Sequence, residues 1–129
     1  MARLEYFLAS ESVAIDRVRN SVSIFHVINE LQLEEIPSEL HKLSLISCWM
    51  FDEDEIRRND EFQLRFRIEL PDGESKDFRA NISPGQSRFQ YYVFVVENVP
   101  VQKTGDMMIR AFLNDTETAT HVIAVSVSS

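Results

Sequence analysis

The side chains in this sequence best suited to chemistry are carboxylates. "DEDEIRRND", residues 52–60, sets Asp52, Glu53, Asp54 and Glu55 ahead of Arg57 and Arg58, and Asp60 closes the run. A second acidic stretch, "NDTET", holds Asp115 and Glu117. Hard cations such as calcium take roughly six to eight oxygens from carboxylates, carbonyls and water. Asp52, Asp54, Asp60, Asp115 and Glu117 are therefore the candidate metal ligands, provided the loops that carry them meet at one end of the fold. Against this stand the two arginines inside the run, the lack of D-x-D-x-D-G spacing, and the lack of a glycine for tight wrapping. The plainer expectation is a solvated loop joining two strands and keeping their ends soluble.

Nucleophilic chemistry has less to build on. The chain has three glycines and no G-x-S-x-G elbow, and neither glycine-rich phosphate loop occurs. Cys48 lies in "LISCWM", where a thiol behaves as a small buried hydrophobe rather than an exposed, electropositively placed nucleophile. As the only cysteine it can form no internal disulfide. His26, His41 and His121 show neither H-x-H nor H-E-x-x-H spacing. His26 alternates with Ile24 and Ile28 and is expected on an apolar face, bonded to a backbone carbonyl. His41 and His121 are expected to open their strands in solvent. No catalytic residue and no cofactor is expected, and the chain reads as non-enzymatic.

The elements that would position these groups are strands. In "QLRFRIEL", Leu64, Phe66, Ile68 and Leu70 alternate with Gln63, Arg65, Arg67 and Glu69, the period of a half-buried strand. Pro71, Asp72 and Gly73 supply a turn, and "DFRANI" returns with Phe78, Ala80 and Ile82 on one face. "LEYFLASESVAI" and "SVSIFHVINELQL" flank "DRVRN", where Asn20 suits a left-handed conformation. "HKLSLISCWMF", "SRFQYYVFVVENV", "GDMMIRAFL" and "THVIAVSVS" complete the set. Helical signal is confined to one turn in "INELQLEEIPSEL", which Pro37 would end. Strand after strand without βα alternation predicts one domain over 1–129, a two-layer antiparallel β-sandwich of about eight strands, immunoglobulin-like or C2-like, with a barrel as the alternative.

At 129 residues, 44% hydrophobic and 26% charged, the chain can bury a core without metal or disulfide. Its 13 Lys and Arg are scattered among 21 Asp and Glu, for a net charge of −8. Nucleic acid and anionic membrane surfaces are poor partners for such a chain, because binding to phosphates draws on clustered basic residues. No stretch nears the roughly 20 apolar residues of a spanning helix, and Arg3, Glu5 and Glu11 interrupt any signal-peptide core. The expected compartment is the cytoplasm.

"YYVFVV" is apolar at every position and needs cover on both faces. With Tyr91, Val93 and Val95 inward, Tyr92, Phe94 and Val96 would project outward. Met108 and Phe112 would do the same beside Ile109, Ala111 and Leu113. Tyr92, Phe94, Val96, Met108 and Phe112 are thus the candidate interface, unless the "NELQLEEIPSEL" segment covers them. The expected partner is another protein or a second copy of the chain, forming a homo-oligomer.

"EYFLASESVAIDRVRNSVSIFHVINELQLEEIP" resembles the opening of a bacterial domain family of unknown function that begins with an "AE..S.D...N.LSIFNI" pattern and a Phe/Leu-Pro step. Glu11, Asp16, Asn20, Ser23, Ile24, Phe25 and Pro37 fit it, whereas Val22 stands for Leu and His26 for Asn. The resemblance implies a small bacterial β protein and carries over no site residue; in physical terms the motif needs no more than a turn and the strand that follows it.

Overall fold

The computed structural model describes residues 2–128. Nine strands and one short helix follow in order: β1 Arg3–Asp16, β2 Ser21–Val27, β3 Glu30–Leu33, β4 Ser38–Met50, α1 Glu53–Arg58, β5 Phe62–Glu69, β6 Ser75–Ile82, β7 Phe89–Val101, β8 Gly105–Leu113 and β9 Thr116–Val127. They form a first sheet of order β2-β1-β4-β7 and a second of order β3-β9-β8-β5-β6. The described residues form an all-β sandwich, and no barrel closes among them. The nine strands among the described residues agree with the expected number of about eight, whereas the parallel pairing of β3 with β9 departs from a wholly antiparallel arrangement. The segment from Glu30 gives that short strand instead of a helical turn, and β4 begins straight after the cis Ile36–Pro37 bond.

Alternation builds the core. Leu64, Phe66 and Ile68 of β5, Met107, Ile109 and Ala111 of β8, and Leu43, Leu45 and Trp49 of β4 are all at or near full burial. Phe66 anchors the middle, with the Phe7 ring 5.0 Å away and the Phe94 ring edge-on at 4.9 Å. Trp49 solves the problem of a buried indole by donating from Nε1 to Ser47 Oγ at 2.9 Å. The β5–β6 hairpin forms as read from the sequence, with Phe66 opposite Phe78 and Gly73 at φ 94° in the turn.

The acidic run folds into α1, not a coil. Asp52 caps it, accepting from the Glu55 backbone N–H at 2.8 Å, while the Glu55 carboxylate accepts from the Asp52 N–H. This reciprocal capping box places acids in the first turn and Arg57 and Arg58 in the last, as the helix dipole favours. Asn59 ends the helix in the left-handed region at φ 53°.

The long hairpin β1–β2 does something periodicity did not announce. β1 pairs with β4 only as far as Ser10, opposite Ser44. Beyond it, the ladder skips Glu11 and His26, and His26 sits at φ 55°, so the hairpin bends there. Its tip then reaches the opposite end of the first sheet: Asn20 Nδ2 donates to Ser87 Oγ at 2.9 Å and to the Phe89 carbonyl at 3.0 Å. The arm of residues 11–26 therefore lies back across the outward face of the first sheet.

Candidate functional site

The orientation of β7 decides which side chains are on offer. Its register against β4 sets Phe94 opposite Leu45 and Val96 opposite Leu43, both core residues, and sets Tyr91 opposite Cys48 and Val93 opposite Ile46. Cross-strand partners share a face. Tyr92, Phe94 and Val96 consequently point inward, the reverse of expectation: Val96 is buried, Phe94 packs on Phe66 and Phe78, and the Tyr92 hydroxyl donates to the Ser83 carbonyl at 2.8 Å. The outward residues are Phe89, Tyr91, Val93 and Val95.

Under the arm lies a second apolar cluster separate from the main core. Ile46 and Cys48 are buried yet belong to the outward face, beside Leu8 and Tyr6 of β1. Val13 and Ile15, paired across the hairpin with Ile24 and Val22 and half-buried, face down from the arm. Burial raises the Tyr6 hydroxyl well above the usual tyrosine range, with Cys48 and Tyr91 adding to the shift. Burial likewise raises the Cys48 thiol. Cys48 in the folded chain should therefore react with a maleimide or disulfide reagent on the order of 100-fold more slowly than in the urea-unfolded chain. Equal rates would show that the arm opens freely.

Where the arm meets the free side of β7, a cleft of about 310 Å³ opens. It is lined by Ile15 and Arg17 from the arm, Ala80 and Ile82 from β6, and the consecutive Tyr91, Tyr92, Val93 and Phe94. Four consecutive residues of one strand line it, so the exposed edge of β7 forms its floor. Sequence reasoning missed this cleft because it arises from the bend at Glu11 and His26.

Met108 and Phe112 do face outward, but on the second sheet, so they share no surface with β7. Phe112 is covered by the Arg65 guanidinium, 3.9 Å from its ring centroid. Around it, Arg65 bonds Asp77 at 3.3 Å, and Arg110 bonds Glu69 at 3.1 Å and Glu117 at 2.8 Å. This side is a charge ladder.

The stretches that carry the candidate metal ligands do lie at one end of the fold. The β8–β9 turn at Asn114 docks on Gln63, just beyond α1, through bonds in both directions. Asp52, Glu53 and Asp54 line an open cleft of about 620 Å³ with Gln86 and Arg88. The carboxylates are otherwise engaged, however. Asp52 caps α1, Asp54 pairs with Arg57, Asp60 with Arg58 at 2.9 Å, and Glu117 with Arg110. Those arginines hold the Asp60 and Glu117 carboxyls below their ordinary range. Asp115 serves the turn at φ 66°. Among the described residues no group of three or more His, Cys, Asp or Glu is disposed to hold a metal ion.

The histidines exchange their expected roles. His26 is exposed, with Nδ1 2.7 Å from Glu11 Oε2 at the bend. His121 is buried, its Nε2 2.7 Å from the Ile28 carbonyl, so that nitrogen carries the proton. His41 is exposed, as expected.

Taken together, the fold and its surfaces define a small β-sandwich with an apolar outward side on one sheet and an ion-paired side on the other. The chain belongs to a family of unknown function, DUF6941, whose model matches residues 5–126. No curated protein matches it. Among solved structures it is similar to the Pseudomonas fluorescens alkylpurine DNA glycosylase AlkC bound to DNA containing an abasic site analog, with a TM-score of 0.62 and 9% identity. That similarity covers 97% of this chain and 30% of the other, so the chain spans less than a third of that protein's length. At such identity the likeness is one of fold. No helix among the described residues is long and apolar enough to cross a membrane.

Proposed function

We propose that this protein is a non-enzymatic interaction module of the bacterial cytoplasm that binds a protein chain, another protein or its own copy, through the outward side of its first sheet. One observation carries the reading. Of the seven large hydrophobic side chains that stand exposed among the described residues, four belong to the two edge strands of that sheet: Phe25 and Val27 on β2, Phe89 and Val95 on β7. Apolar side chains left exposed along both edges of a sheet are a usual mark of a contact surface. The DNA of the structural neighbour does not carry over, since a chain of net charge −8 lacks the basic stripe that phosphates require. The acidic end is the weaker alternative as a ligand or calcium site, because its carboxylates already serve the helix cap and the arginines.

The test is a photo-crosslinking residue placed at Val95 in cells, with Lys103 as control. A discrete protein adduct at Val95 and none at Lys103 is the expected result. No adduct at Val95, or equal adducts at both, would overturn the reading.

A further inference from the structure

We infer that the partner of this surface is a second copy of the chain, joined by antiparallel pairing of the two β7 strands along their free edges. The inference rests on the interaction-module reading and specifies its occupant. Each sheet presents an edge beside the cleft: β7 from the first and β6 from the second. Exposed edges are ordinarily protected by charge, proline or cover. β6 is protected in this way, with Lys76, Asp77 and Arg79. β7 runs for 13 residues, and from Phe89 to Val96 it holds no charge and no proline. The Asn20 bond covers its start at Phe89, so the free edge opens at Tyr91. A strand with one neighbour turns alternate N–H and C=O groups toward the empty side, where another strand can take them.

Charge then selects the occupant and the register. Arg17 lines the cleft beside Tyr91 and makes no ion pair among the described residues, and Glu97 is the single acid in β7. Pairing centred on Phe94 sets Glu97 of one copy opposite Tyr91 of the other, on the outward face, next to that copy's Arg17. A two-fold axis makes this contact twice. The same register sets Val95 opposite Val93 of the second copy, covering a side chain now 53% exposed. The strand thus supplies, in its own sequence, the uncharged run and the acid that the cleft accepts.

Sedimentation equilibrium of the full chain tests this, with circular dichroism confirming the fold of each variant. The wild type is expected to be a dimer in the micromolar range, and Val95→Lys a monomer. Arg17→Glu and Glu97→Arg should each weaken association about tenfold, and the double reversal should restore it to within about threefold. A monomeric wild type, a dimer indifferent to Val95→Lys, or a double reversal no better than its singles would overturn the inference. A monomer that still crosslinks to a different chain at Val95 would sink the dimer and leave the interaction module standing.

Discussion

Phe94→Glu should destabilise the fold by about 3 kcal/mol or more, whereas Val95→Glu one residue away should change the stability of the monomer, measured at concentrations too dilute for association, by no more than about 0.5 kcal/mol. The two positions differ only in which way β7 turns them. Phe94 lies between the sheets, edge-on to Phe66 and near Phe78, and a carboxylate there loses both ring contacts and its water. Val95 stands in solvent on the other face, so a charge at that position costs the fold little and costs the interface much. Urea denaturation of both variants with an unchanged m-value separates the cases. Equal destabilisation would mean that the inward and outward faces of β7 have been assigned the wrong way round.

That pair also marks how far the sequence could be read. Where one parity is apolar and the other charged, the face is legible: Arg65 and Arg67 mark the wet side of β5, and Arg110 marks the side shared by Met108 and Phe112. In "YYVFVV" both parities are apolar, and no local signal says which points inward. The choice is made by β4, whose Leu43, Leu45 and Trp49 face the second sheet and so carry Phe94 and Val96 inward with them. The outward parity is apolar for its own reason, since it lies partly beneath a folded-back arm.

The arm could not be read at all from periodicity. Its strands alternate as any hairpin does, and the bend depends on one histidine taking a left-handed conformation opposite Glu11. Asn20 was legible as a positive-φ turn residue, but its reach to Ser87 and Phe89 is a tertiary fact. α1 is the opposite case. Asp52 and Glu55 stand at capping-box spacing, with acids before and arginines after, so a local signal was present and a tally of charge obscured it. Net charge speaks to solubility and partners, and spacing speaks to structure.

Trp49→Ala should cost about 3–5 kcal/mol, a large share of the roughly 5–15 kcal/mol that stabilises a domain of this kind. Trp49 is fully buried and among the largest side chains in the core, so its loss leaves a cavity that the paired sheets cannot collapse to fill. At about 3–6 °C per kcal/mol, the melting temperature should fall by roughly 9 °C or more. The hydrogen bond inside that core is separable from the packing. Ser47→Ala removes one oxygen and strands the indole Nε1–H in an apolar interior, which should cost about 1–3 kcal/mol. Trp49→Phe removes the donor itself, so adding Ser47→Ala to it should cost less than Ser47→Ala alone, with a coupling of about 1 kcal/mol or more. Strictly additive losses across that cycle would show that the indole finds another partner, and that Ser47 is buried in β4 for its size rather than its hydroxyl.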